Sequence, residues 1–232
     1  MTDPTFTAEA FTDSARTAQT FVAGRRAMVE SQLRTNDVND PDLLEAILAV
    51  PREDFLPAER RSAAYIDRAV PLSAGRALNP PLATARLLAE AAIVPGDHVL
   101  LIGAATGYAA AVLARLHCSV VAVEEDAALI ATAHTTLDSH AGVTVIQAPL
   151  AEGHVEGGPY DLLFIDGAIE SVPDALVAQL SIGGRAVFAS VERGVTRLCA
   201  GARSAGGFGA RAFADSEAVV LPGFAAPKSF TF

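Results

Sequence analysis

The sequence predicts one α/β domain, with a mostly parallel sheet of seven strands, helices on both faces and further helices at the N-terminal side. Three observations lead there. From residue 98 onward, short β-branched runs alternate with Ala-rich stretches of helical spacing. These runs are apolar at successive positions, as strands must be when both faces of a parallel sheet are covered. At 232 residues the chain is long enough for one well-buried α/β domain and short for two.

Residues 1–20, rich in Thr, Ala, Asp and Ser, read as a flexible N-terminal arm. The rest, 21–232, reads as a single domain in three stretches, 21–97, 98–190 and 191–232. In the first, apolar residues recur at three- and four-residue spacing from Phe21 to Leu33 and from Pro41 to Val50, the pattern of one-faced helices. Asp40 is placed to cap the second helix. Pro41 suits its first position, where the N–H has no partner, and Pro51 ends it.

In the second stretch, His98–Ile102, Ser119–Glu124, Val143–Gln147, Tyr160–Asp166 and Arg185–Ala189 read as strands. Tyr108–Leu116, Ala127–Leu137 and Val172–Leu180 read as the helices between them. In the third, Val195–Cys199 and Glu217–Leu221 are the expected last strands, joined by a mobile, glycine-rich turn over Gly201–Gly209.

Composition narrows the function. A net charge of −10 repels phosphate backbones and anionic lipid heads, which argues against nucleic-acid binding. Cys118 and Cys199, eighty residues apart and without neighbouring ligands, signal neither a disulfide framework nor a metal site. The acidic N-terminus lacks a signal-type apolar segment, and no stretch reaches the ~20 apolar residues needed to span a bilayer, so the cytoplasm is expected. The histidines at 98, 117, 134, 140 and 154 are scattered and read as structural or exposed.

Two features could carry chemistry. Val99 to Tyr108 is a strand that ends in a small-residue loop, with Gly103 and Gly107, and opens a helix. Such a loop lets a ligand approach backbone, and the helix offers its positive end to an anion; a tight turn without a ligand is the alternative. About twenty residues on, Glu124 ends the next strand, where a carboxylate can accept from two ribose hydroxyls of a nucleoside. A solvated acid beside a helix cap is the alternative, with Glu125 and Asp126 next to it. A dinucleotide fingerprint would want all three of its glycines, and two of those positions are not glycine here, which leaves a nucleotide-dependent oxidoreductase only the generic strand-helix alternation.

The stretch Ala64-Tyr65-Ile66-Asp67-Arg68-Ala69-Val70-Pro71-Leu72, followed by Gly75-Arg76-Ala77-Leu78-Asn79-Pro80-Pro81, resembles a segment of the protein-L-isoaspartate O-methyltransferases. That segment reads Ala-Tyr-x-Asp, Pro-Ile/Leu, then Gly-Gln-Thr-Ile-Ser-Gln-Pro. Met28 to Leu33 and Val50 to Pro57 are similar to two upstream signatures of the family. Pro159-Tyr160-Asp161, Val172-Pro173 and Gln179 to Arg185 match later landmarks.

The resemblance, spanning Met28 to Ala189, implies a Rossmann-like class I methyltransferase fold. It divides the domain into N-terminal helices with a substrate loop, a cofactor-binding core and C-terminal strands. It further implies S-adenosylmethionine as cofactor, isoaspartyl residues of proteins or peptides as substrates, and methylation of their α-carboxylate as the reaction. Asn79 and Asp67 fall at its catalytic positions. Gly103, Ala105, Gly107, Glu124 and Pro149 fall at its cofactor-binding positions. An ionised carboxylate attacking a sulfonium methyl needs no general base, which agrees with the lack of a Ser-His-Asp or paired-carboxylate constellation.

At the positions that the family uses for cofactor and substrate, the chain departs from the pattern: Leu101 stands for glutamate, Ala105 for the second glycine, Pro149 for the adenine-binding aspartate and Asn79 for serine. Leu101 and Pro149 remove polar partners, and Ala105 adds a methyl group. Asn79 can still donate through its amide. Asp166, ending its strand, keeps a polar group where many methyltransferases have one. These departures open a second reading, a methyltransferase fold kept as a binding or regulatory module.

Overall fold

The computed structural model describes residues 17–73 and 75–225. Of the expected arm, residues 1–16 lie outside that set, and 17–20 already belong to a helix, α1, described over 17–28. It continues through a π turn, Val29–Leu33. The helix α2 spans Pro41–Ala49 and starts as the sequence indicates, with the Asp40 carboxylate accepting from the Leu43 amide at 2.8 Å. A two-stranded hairpin, β1 (Val70–Pro71) and β2 (Ala77–Leu78), then leads into α3, Pro81–Glu90.

The main sheet follows. Its elements are β3 (His98–Ile102), α4 (Tyr108–Arg115), β4 (Ser119–Glu124), α5 (Ala127–Leu137), β5 (Val143–Gln147) and β6 (Tyr160–Ile169). The chain goes on through α6 (Asp174–Val177), β7 (Leu180–Glu192), β8 (Val195–Ser204) and β9 (Gly207–Asp215). The strand order is β5-β4-β3-β6-β7-β8-β9, parallel from β5 through β7 and antiparallel in the last two pairings. Seven strands, mostly parallel, match the expected architecture.

Alternation along β3 shows how the sheet is buried on both sides. Val99 and Leu101 join the core formed with α1 to α5, whereas Leu100 and Ile102 join the core of the opposite face. That second face is covered by α6 and by coil carrying Leu150, Leu221 and Phe224. Successive side chains of a strand point to opposite faces, so an uninterrupted apolar run is what two covers require. Among the described residues no helix is long and apolar enough to cross a membrane.

Three expectations are corrected. The helix expected over Val172–Leu180 is one turn, because its end is drawn into long-range pairing. The Gln179 carbonyl accepts from the Tyr160 amide, and Leu180 opens β7. Gly201–Gly209 is a turn only at Ala205 and Gly206; the rest of it pairs as the β8–β9 hairpin, where Gly201 faces Ala210 and Ala202 faces Gly209. Glu217–Leu221 is not a strand. It makes a single parallel bridge, Val220 to Ala168, at the far end of β6.

Candidate functional site

The site lies at the C-terminal ends of β3, β4 and β6, where the loops of a parallel sheet converge. After β3 the chain reverses through Gly103 (φ 76), Ala105 (φ 50) and Gly107 (φ 101) before α4 begins. The left-handed conformation at Ala105 is the one that glycine tolerates freely. With a Cβ it costs on the order of 1 kcal/mol. The amides of Gly103 and Ala104 both donate to the Val123 carbonyl, and that of Gly107 to the Ala104 carbonyl. The loop is thus a tight strand-to-helix turn, and of its amides that of Ala105 reaches a side chain.

That side chain is Glu124, which is fully buried. Its carboxylate accepts from the Ala105 amide at 2.8 Å, from the amides of Glu125 and Asp126 at 3.0 and 3.2 Å, and from Arg76 Nη1 at 2.5 Å. The capping role beside it belongs to Asp126, which accepts from the Ala128 and Leu129 amides. Glu124 is therefore free of that duty, and the alternative of a solvated acid is excluded.

Arg76 comes from the hairpin between β1 and β2 and is 6% exposed. Its backbone closes the turn, the Leu72 amide donating to the Arg76 carbonyl and the Arg76 amide to the Ser73 carbonyl. Leu221 comes down on the other side. A Cβ added to Gly103 would meet Leu221 Cδ1 at 3.0 Å, and one added to Gly167 would meet Leu221 Cγ at 2.6 Å. The ground in front of Glu124 and Gly103 is thus filled by two side chains of the chain itself.

A second cluster adjoins it. Asn79 Nδ2 donates to Asp166 at 3.0 Å, Thr84 donates to the same carboxylate oxygen at 2.9 Å, and the Val219 amide donates to Asn79 Oδ1 at 2.8 Å. Burial pushes the Asp166 carboxyl above its ordinary value, partly offset by those two donors and by the charges of Arg52 and Arg76. Arg52, with no exposed surface, donates to the Ala64 and Asn79 carbonyls and lies over the Tyr108 ring, 4.6 Å from its centroid. Burial lowers its pKa from the usual arginine value.

The structure brings Asn79, Gly103, Ala105, Gly107 and Glu124 together. The Asp67 carboxylate accepts from the Leu82 amide at 3.1 Å and steadies the first turn of α3. Pro149 is exposed in the turn after β5, and Leu101 is buried in the α1–α5 core. Sequence reasoning missed Arg76, Thr84, Arg52 and Leu221 as members of the site. Arg76 carried a signal, a charge in a stretch where the resembling motif has neutral glutamine. A separate cavity of 360 Å³ between α2, α3 and α4, bordered by Leu43, Leu88 and His117, shares no residue with this site.

The sheet order, the acid ending β4 and the glycine loop after β3 define a Rossmann-like class I methyltransferase fold. The chain belongs to the protein-L-isoaspartate(D-aspartate) O-methyltransferase family, whose model matches residues 24–205. It is 36% identical over 169 residues to the protein-L-isoaspartate O-methyltransferase of Koribacter versatilis, covering 72% of this chain and 76% of the relative. To protein-L-isoaspartate O-methyltransferase 2 of Marinobacter nauticus it is 40% identical over 179 residues, covering 75% and 81%.

Among solved structures, a protein-L-isoaspartate O-methyltransferase superposes with a TM-score of 0.75 at 23% identity, over 86% of this chain and 66% of that one. A second, from Plasmodium falciparum and in complex with S-adenosyl-L-homocysteine, gives 0.70 at 19%, over 85% and 97%. At such identities the two structures establish the fold.

Proposed function

We propose that this chain transfers the methyl group of S-adenosylmethionine to the α-carboxylate of isoaspartyl residues in proteins or peptides, in the cytoplasm. The observation that carries the reading is the buried Glu124 carboxylate beside the Gly103–Gly107 loop, in a member of this family. The donor set suits the cofactor, because an oxygen that now accepts from N–H groups accepts equally from ribose hydroxyls. Gly103 lacks the Cβ that would bar a close approach. Arg76 and Leu221 have to move aside for the nucleoside.

When bound, the cofactor supplies a methyl group on a sulfonium sulfur. The protein's part is placement. Glu124 would hold the ribose, and the second N–H of the Asn79 amide, beside the one that Asp166 accepts, would serve a substrate carboxylate. The incoming carboxylate is already ionised, so no side chain has to take a proton, and alignment with exclusion of water is the remaining task. Two buried, unpaired thiols, Cys118 and Cys199, suit a reducing compartment.

The test is transfer of labelled methyl from S-adenosylmethionine to an isoaspartyl peptide, compared with its aspartyl isomer. Transfer to the isoaspartyl form alone, lost in Glu124→Ala, is expected. No transfer at millimolar cofactor would refute the reading.

A further inference from the structure

We infer that Arg76 is a built-in competitor for the cofactor's nucleoside, a latch that holds the site closed until a ligand displaces it. The inference rests on the reading of Glu124 as the ribose acceptor. Four observations support it. The Arg76 guanidinium sits on the Glu124 carboxylate at 2.5 Å, in the position from which ribose hydroxyls would donate. Its Nη2 lies 3.6 Å from the point where a Gly103 Cβ would stand, so the same group also fills the ground above the loop. Its Nε is buried without a hydrogen-bond partner among the described residues. Leu221 closes the other side against Gly103 and Gly167.

The Arg76 Nε gains no hydrogen bond in the closed position among the described residues, so displacing the guanidinium gives up its contact with Glu124 and none at Nε. The donors that remain on Glu124, the amides of Ala105, Glu125 and Asp126, are backbone groups and stay when the guanidinium leaves. The carboxylate is therefore held ready while the latch opens. The guanidinium rides on a short two-stranded hairpin, β1–β2, that forms a sheet of its own, so its withdrawal breaks no pairing of the main sheet.

The consequence is a weakened apparent affinity. A protein whose binding-competent form is a fraction of the total binds its ligand more weakly by that fraction, so a latch closed nine-tenths of the time weakens binding about 10-fold. Replacing Arg76 by glutamine removes the charge that competes for Glu124 and keeps an amide that can hydrogen-bond there.

Calorimetric titration with S-adenosylhomocysteine tests this on wild type, Arg76→Gln and Leu221→Ala. Arg76→Gln is expected to bind about 10-fold or more tightly than wild type, and Leu221→Ala more tightly by a smaller factor. Wild type binding as well as or better than Arg76→Gln overturns the latch and leaves the proposed function standing. Binding by none of the three at millimolar ligand overturns both. Should Arg76→Gln fail to fold, nitrogen-15 NMR of the Arg76 guanidinium in wild type decides. Its protons should exchange slowly when free and rapidly with ligand bound; slow exchange in both states overturns the latch.

Discussion

Asn79 and Asp166, 87 positions apart, are joined by a side-chain hydrogen bond of 3.0 Å at the point where the β2–α3 loop meets the end of β6. The other end of the same Asn79 amide accepts from Val219 at 2.8 Å, so one buried side chain ties the loop, the central sheet and the C-terminal segment together. Asn79→Ala leaves a carboxylate and an amide short of a partner. The expected loss is about 1–3 kcal/mol in urea unfolding, a fall in Tm of about 2–4 °C per kcal/mol. Hydrogen exchange at the Val219 amide should rise with it. Exchange equal to wild type would show that Asn79 does not hold the segment.

Asp166 gives a pH dependence whose sign follows from its burial. Its folded pKa is raised above the ordinary value of 3.8. A group raised in the folded state contributes stability that is full below its unfolded pKa and is lost as pH rises through the folded pKa. Ionisation of Asp166 therefore weakens the fold on the way to neutral pH. Asp166→Asn keeps an oxygen to accept from Asn79 and Thr84 and cannot ionise. The stability of this variant relative to wild type, followed by urea unfolding from pH 4 upward, should increase with pH until Asp166 is ionised in the folded protein and then level off. A constant difference would mean that Asp166 ionises as readily folded as unfolded.

How much of this was legible in the sequence depends on distance along the chain. The bounds of β3, β4, β5 and α5 are those read from the sequence, because a strand or helix buried on a defined face writes its period locally. The β8–β9 hairpin was not legible, since glycine and alanine carry no period. Gly201 is there for packing: a Cβ would meet the Gly209 carbonyl at 2.8 Å and the Phe208 ring at the same distance. Glu217 to Leu221 has the composition of a strand, yet the sheet already ends at β9, and tertiary placement sends the segment over Gly167 instead. Glu124 and the glycine loop were found because strand end and loop lie twenty residues apart. The Arg76–Glu124 contact spans 48 residues between two elements whose meeting no local pattern encodes.

Two glycines with similar backbones separate strain from crowding. Gly96 (φ 95) has nothing within 4 Å of an added Cβ, whereas at Gly107 (φ 101) that atom would meet Leu137 Cδ1 at 2.7 Å and Cγ at 2.9 Å. Gly96→Ala should lose only the left-handed penalty, about 1–2 kcal/mol. Gly107→Ala should lose that and roughly 1–3 kcal/mol more for overpacking against α5. Urea midpoints of the two variants measure the difference. Equal losses would mean that Leu137 repacks without penalty and that Gly107 is needed for its φ alone.

Arg52 makes the last case, because its charge is fully buried and its geometry is that of a fork. Nε reaches the Ala64 carbonyl at 3.0 Å, Nη2 reaches the Asn79 carbonyl, and the guanidinium plane stands over Tyr108. These contacts pin two separate stretches, at Ala64 and at Asn79, to the start of α4. Lysine keeps the charge but has a single point of donation and no plane to stack, so it cannot hold both carbonyls in that geometry. Arg52→Lys should lose about 1.5–3 kcal/mol, the range for a hydrogen bond to a charged group. Hydrogen exchange should quicken around residues 64 and 79 and remain as in wild type in β3 and β4. A loss confined to overall stability, with no local change at those carbonyls, would mean that Arg52 serves as core filling and not as a clamp on those two stretches.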